Sequence, residues 1–372
     1  MGERRVLIFS ATFGAGHLKA AEALIQVIRE KSPGSVIIHV DFGEYISKTL
    51  NKLLKDTYIK AIKHTPKLYG MFYSRTSKIS IDSPLQRVLN IIGRKEFLDY
   101  IHEHNPDVII STYPVMARVL GELRLKRAIA APVVSVVTDY RVHSQYIQPG
   151  VDLYIGATQE VFKDLVAGGI APEKIRITGI PVDPKFEREL ERSELIKKLQ
   201  IKDIQPTILV MAGAYGVLGG SKNICKFLLD CEEKLQVLVV CGRDEKLYQN
   251  LEGLEGRNAM KCYGFVDNVE ELMSVSDLMI TKAGGLTVSE ALTKKLPMLI
   301  FKAIPGQEEE NAHFLAHIGA AKLADTEEEM EETIKYLLSH PEEIASMLQA
   351  AAKALPGNAA EKAVQEILAL IT

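Results

Sequence analysis

Three times in this chain a short apolar run breaks into a glycine-bearing turn and then into a stretch with helical spacing. Residues 6–10 pass through Gly14 and Gly16, residues 207–211 through Gly213, Gly216, Gly219 and Gly220, and residues 278–280 through Gly284 and Gly285. A strand that feeds a helix through a tight turn is the repeating piece of a parallel sheet, because parallel neighbours need a crossover between them. The chain therefore belongs to the α/β class. At 372 residues it exceeds one ordinary domain, and the rhythm restarts after residue 205. The rigid turn Gly179-Ile180-Pro181-Val182-Asp183-Pro184 and the charged stretch 187–202, read as a helix, mark the boundary. We expect one domain over 1–185 and a second over 205–354. A closing helix over 350–370 is expected to pack its apolar face on a domain.

Each glycine turn is a place where helix-start N–H groups can face an anion, since no Cβ blocks the approach and the first turn leaves its donors unpaired. The strongest candidate runs Thr281-Lys282-Ala283-Gly284-Gly285-Leu286-Thr287-Val288-Ser289-Glu290. Thr287 and Ser289 are expected to add hydroxyl donors, and Glu290, one turn in, to accept from sugar hydroxyls. After the next apolar run, 297–301, comes Pro305-Gly306-Gln307-Glu308-Glu309-Glu310-Asn311, a polar loop where such sheets place a ligand crevice. The turn around Gly213 and Tyr215 is a second candidate phosphate cradle, although flexibility alone would also account for its glycines. Cys241-Gly242-Arg243-Asp244 and Gly264-Phe265-Val266 end two further strands.

The first half carries the candidate proton-transfer groups. His17 falls in the first turn of a helix, where the dipole disfavours an imidazolium and leaves the ring neutral, as base or hydrogen-bond donor. His143 and Asp139 follow a strand at 132–138, the carboxyl end of which faces a crevice. On residue type alone the two histidines rank equally.

Between Lys48 and Lys95 stand eleven basic residues against two acidic ones, although the whole chain carries a net charge of −3. Lys52, Lys55, Lys60 and Lys63 lie outside an apolar face that includes Tyr58, and Tyr69, Phe72 and Tyr73 follow beyond Pro66. A basic amphipathic stretch beside aromatics reads as a docking surface for anionic lipid or as an ordinary helix packed on its own core with lysines on the solvated face. The overall charge argues against a nucleic-acid partner, and no apolar run reaches the length of a membrane span. The four cysteines, at 225, 231, 241 and 262, have no metal spacing and read as buried thiols in a reducing cytosol.

Taken in order, Gly14-Ala15-Gly16-His17, Thr138-Asp139-Tyr140 with His143, Gly179-Ile180-Pro181-Val182, Gly264-Phe265-Val266, Lys282-Ala283-Gly284-Gly285-Leu286-Thr287 with Glu290, and Pro305-Gly306-Gln307-Glu308-Glu309 with Asn311 form an ordered set. That set resembles the monogalactosyldiacylglycerol synthase and processive diacylglycerol glucosyltransferase group of glycosyltransferase family 28. The resemblance implies a GT-B fold, two Rossmann-like domains facing a central cleft, with the C-terminal helix, about 355–372, packing back on the first domain. It implies an inverting transferase that moves a hexose from UDP-glucose or UDP-galactose to diacylglycerol or a glycosyl-diacylglycerol, with no metal and no cofactor, at the cytoplasmic face of the membrane. Phe265 and Val266 would hold the uracil, Gly284, Gly285, Leu286 and Thr287 the diphosphate, Glu290 the ribose, and Gln307 and Glu308 the sugar. Gly16, Gly213, Tyr215, Arg243 and Lys282 complete the donor set. His17 and His143, with Asp139, would serve the acceptor, one histidine as base.

The sequence departs from the family at three places: Ala283 where proline is frequent, a loop at 212–216 poorer in glycine, and Tyr146 where tryptophan is usual. A polyprenyl-linked or soluble acceptor, and a UDP-sugar sensor without turnover, are the alternatives. Donor sugar, number of sugars added and oligomeric state are left open by the residues.

Overall fold

The computed structural model describes residues 4–11, 15–41, 94–204, 206–213 and 218–371. The chain divides into two compact units, which meet in sequence at Pro184/Lys185 and again at Leu355/Pro356.

The first unit is built on a six-stranded sheet of order β2-β1-β3-β4-β5-β6. Its strands are β1 (Arg5–Ser10), β2 (Val36–Asp41), β3 (Val108–Ser111), β4 (Val133–Val136), β5 (Leu153–Gly156) and β6 (Ile175–Ile177). All pairings are parallel. Runs such as Val-Leu-Ile-Phe and Val-Val-Ser-Val are buried on both faces, because helices cover both sides of the sheet. On one face Val6, Ile8, Val108, Ile110, Val134 and Val136 meet Ala21, Leu24 and Ile28 of helix Ala15–Lys31. The same cluster contains Ala360, Ala363, Val364 and Ile367 of the C-terminal helix Ala359–Ala369. Lys31–Glu361 and Arg176–Glu366 ion pairs flank that contact.

The second unit carries a sheet of order β12-β11-β10-β7-β8-β9, also parallel throughout. Its strands are β7 (Thr207–Met211), β8 (Gln236–Val240), β9 (Ala259–Tyr263), β10 (Leu278–Thr281), β11 (Met298–Phe301) and β12 (Ala321–Ala324). The strand β12 has no counterpart in the sequence reading. Its four residues, Ala-Lys-Leu-Ala, carry little strand preference, and it forms only as the outer partner of β11.

Two helical readings need correction. The stretch 187–202 is helical only over Arg192–Leu199, stopped by Gln200 in the left-handed region at φ 51°. The single closing helix expected over 350–370 is two: Pro341–Ala354 and Ala359–Ala369. Pro356 pushes Leu355 to extended backbone (φ −123°, ψ 149°), and Gly357 (φ 68°) and Asn358 (φ 52°) complete the break. That break coincides with the return of the chain to the first unit.

Candidate active site

In a doubly wound sheet, ligands gather where neighbouring strands send their connections in opposite directions. Each unit has one such point. In the first it lies between β1 and β3, in the second between β7 and β10.

At the first switch point sits His17. Its Nδ1 is 2.7 Å from the Thr112 carbonyl oxygen, just past β3. A carbonyl only accepts, so Nδ1 carries the proton and Nε2 of the neutral ring carries the lone pair. The Thr138 hydroxyl, just past β4, is 3.0 Å from the same Nδ1, and it is 3.3 Å from the Tyr146 hydroxyl. Thr112 also donates its own hydroxyl to the His17 carbonyl at 2.8 Å, which fixes the first helical turn against the end of β3. The ring of Tyr113 stands edge-on to the imidazole, with centroids 5.3 Å apart. The His17 pKa is lowered to about 4, because burial penalises the imidazolium and the Thr112 bond restores only part of the loss. Burial, and not the helix start, is thus the main cause of the ring's neutrality.

His143 is held differently. It caps the short turn Ser144–Tyr146, and its Nδ1 accepts from the Gln145 N–H at 3.2 Å. In its neutral ring Nε2 therefore carries the proton. Burial lowers its pKa as well. The loop that bears it is anchored by Asp164, which accepts from Arg141 at 2.8 Å and from the Val142 N–H at 3.1 Å. Asp139 is buried at the start of this loop, and Gly16 lies in the first helical turn beside His17.

The second switch point is charged. Helix Gly285–Thr293 starts from Gly284, an extended cap with no side chain to bond the first turn. Leu286 is buried, so it offers only its backbone N–H, while Thr287 and Glu290 are half-buried. Ser289 is corrected: it is fully buried, and its hydroxyl donates back to the Gly285 carbonyl at 2.7 Å, so it adds nothing to the cradle. Lys282 forms an ion pair with Glu308 at the start of helix Gln307–His317. A Cβ placed on Gly284 would come within 3.8 Å of both Lys282 Nζ and Glu308 Oε1. The second Glu308 oxygen is buried and makes no hydrogen bond. Asn311, fully buried, donates to the Ala283 carbonyl at 3.0 Å and ties the two loops together. Gln307 is half-buried at the helix start, and Gly213, at φ 79°, turns the chain away from β7.

Further along the same sheet edge, past β8 and β9, the Arg243 guanidinium lies 4.9 Å from the centroid of the Phe265 ring, which is 56% exposed. Val266 beside it is half-buried. Cys225, Cys231 and Cys241 are buried, whereas Cys262 is only half-buried. Burial pushes Cys225 and Cys241 up to about 12 and Cys231 and Cys262 to about 11, so these thiols stay protonated.

Tyr215 and the membrane-facing set Lys52, Lys55, Tyr58, Lys63, Tyr69, Phe72 and Tyr73 lie outside the described residues. Among the described residues no helix is long and apolar enough to cross a membrane. Sequence reasoning missed Thr112 and gave Thr138 and Tyr146 no role. The motif containing Thr138 was visible, but a main-chain carbonyl on a distant strand leaves no sequence signal.

The family description monogalactosyldiacylglycerol (MGDG) synthase matches residues 17–182, and glycosyltransferase family 28 C-terminal domain matches residues 207–367. The processive diacylglycerol beta-glucosyltransferase of Bacillus cereus is 35% identical over 367 residues, 98% of this chain and 93% of the relative. The chain belongs to the diacylglycerol glycosyltransferase group of glycosyltransferase family 28. The Bacillus pumilus enzyme of the same name is 34% identical over 93% of this chain and 90% of its own. Among solved structures, Acinetobacter baumannii MurG superposes with a TM-score of 0.66 at 18% identity, covering 99% of this chain and 100% of that one. Anabaena HepE in complex with UDP-glucose gives 0.56 at 16% identity, covering 98% and 99%. These likenesses show the GT-B fold class, to which the two parallel six-stranded sheets conform.

Proposed function

We propose that this family 28 glycosyltransferase moves a hexosyl group from a UDP-sugar, UDP-glucose foremost, to the free hydroxyl of diacylglycerol. The observation that carries this reading is the 35% identity to a processive diacylglycerol beta-glucosyltransferase across 98% of the chain. UDP-glucose is α-linked, so a β product requires inversion by direct displacement.

The two switch points divide the work. His17 presents a lone pair on Nε2 and is the general base for the acceptor hydroxyl, whereas His143, with its proton on Nε2, is a hydrogen-bond donor. Asp139 belongs to the acceptor side with them. In the second unit the unpaired N–H groups of Gly285, Leu286 and Thr287, with Lys282, face the diphosphate and take up the charge it gains on leaving. Positive charge from those groups serves the departing diphosphate without a metal. The buried, unbonded Glu308 oxygen is an acceptor suited to a sugar hydroxyl, with Gln307 beside it. Glu290 takes the ribose. Phe265 and Val266 hold the uracil, with Arg243 stacked on the phenylalanine. The acceptor is a bilayer lipid, so the enzyme works peripherally at the cytoplasmic leaflet, docking through the basic aromatic segment of residues 48–95.

The test is transfer of labelled sugar from UDP-glucose, and separately from UDP-galactose, to diacylglycerol in vesicles with and without anionic lipid. Lipid-linked product from UDP-glucose that requires anionic vesicles supports donor, acceptor and docking together. UDP-glucose binding with no lipid product under any condition would turn the reading to a polyprenyl-linked acceptor or to a sensor.

A further inference from the structure

The imidazole of His17 is clasped from two strand ends. The Thr112 carbonyl past β3 and the Thr138 hydroxyl past β4 are 2.7 Å and 3.0 Å from one nitrogen, Nδ1. One acceptor suffices to choose the tautomer. Two acceptors on neighbouring strands also fix the rotation of the ring about its Cβ–Cγ bond, and with it the direction in which the Nε2 lone pair points. Thr138 is 4% exposed and its hydroxyl has one further contact given by the structure, the phenol of Tyr146 at 3.3 Å. Tyr146 is 1% exposed, so neither hydroxyl has bulk water as an alternative partner. A buried chain of this kind holds each member in one rotamer, because any other leaves a polar group unpaired.

We propose that Thr138 is a positioning residue for His17 and that Tyr146 acts through it by holding the Thr138 rotamer. The inference rests on the reading of His17 as the base. When the acceptor hydroxyl gives its proton to Nε2, the new charge spreads to Nδ1–H, and the carbonyl and the two hydroxyls are already oriented to receive it. This arrangement uses neutral oxygens where serine hydrolases use a carboxylate. A neutral clasp leaves the ring a weak base, in keeping with its low pKa.

The experiment pairs kinetics with 15N-histidine NMR on the full chain, using Thr138→Val, Thr138→Ser, Tyr146→Phe and His17→Gln. We expect T138V to lower kcat on the order of 10- to 100-fold, with the KM for UDP-glucose within about twofold. T138S restores kcat to within about threefold, and Y146F gives a smaller loss in the same direction. In T138V the Nδ1 proton of His17 shifts and exchanges faster, while T138S retains the wild-type signal. A T138V enzyme with unchanged kcat and unchanged Nδ1 signal overturns the proposal. So does a loss that T138S fails to rescue, since that marks packing rather than the hydroxyl. If H17Q transfers sugar at the wild-type rate, the base reading falls, and the Nδ1 signal in T138V still decides whether Thr138 positions the ring.

Discussion

The two switch points share a backbone plan and differ in nearly every chemical respect. In the first unit, strand ends deliver a half-buried histidine into a shell of neutral oxygens, and its pKa sits at about 4. In the second, strand ends deliver glycines, an uncapped helix start and the Lys282–Glu308 ion pair. The same βα scaffold thus holds a neutral imidazole at one point and an ion pair at the other. In the proposed function the first would supply the base for the acceptor hydroxyl and the second the donors for the departing diphosphate. What differs is the few residues after β1, β3 and β4 in the first unit and after β10 and β11 in the second.

The sharpest way to break the contrast is His17→Gln. Transfer to diacylglycerol should fall on the order of 10²- to 10⁴-fold, the usual worth of a positioned base. A rate within threefold of wild type, measured with labelled UDP-glucose, would remove His17 from the chemistry.

The second effect is on stability. In the unfolded chain His17 titrates near 6.5, while in the folded chain it resists protonation to about 4. Between these values the unfolded state binds the extra proton, so folding weakens as pH falls through the window and is at full strength above it. The contribution is at most about 3 kcal/mol. Urea denaturation from pH 4.5 to 7.5 should show this slope in wild type and a flatter one in H17Q. Equal slopes would contradict the burial argument.

Much of this was legible in the sequence, for reasons that can be named. Valine- and isoleucine-rich runs bounded by glycine announce parallel strands, and the runs at 6–10, 207–211, 278–280 and 297–301 match β1, β7, β10 and β11 within two residues. The strand–glycine–helix turn over 278–293 was visible because it depends on residue type and local order. The orientation of His17 was not, since it depends on the Thr112 carbonyl, 95 residues away. Nor was the pairing of Lys282 with Glu308, which unites two loops separated by a helix and a strand. The break at Pro356 was readable in principle; the alanine-rich periodicity around it obscured the proline-glycine signal.

Two smaller effects sharpen the second switch point. Asn311→Ala removes the buried amide that donates to the Ala283 carbonyl, and should cost about 1–3 kcal/mol in urea denaturation while weakening UDP-glucose binding. An unchanged midpoint would mean that the two loops are held together by other contacts. Glu309→Ala marks the lower end. Its exposed carboxylate only accepts from the Gly306 N–H at 3.3 Å, so less than about 0.5 kcal/mol and no change in transfer rate are expected. A large loss of activity there would move the sugar contact from Glu308 to its neighbour.

The most direct test of the division between the two units is the binding isotherm of UDP-glucose to wild type, His17→Gln and Lys282→Met by titration calorimetry. The account predicts an unchanged Kd for H17Q, alongside its lost transfer, and a Kd raised on the order of 10-fold or more for K282M. Donor affinity lost in H17Q and kept in K282M would place the donor at the wrong switch point and contradict it.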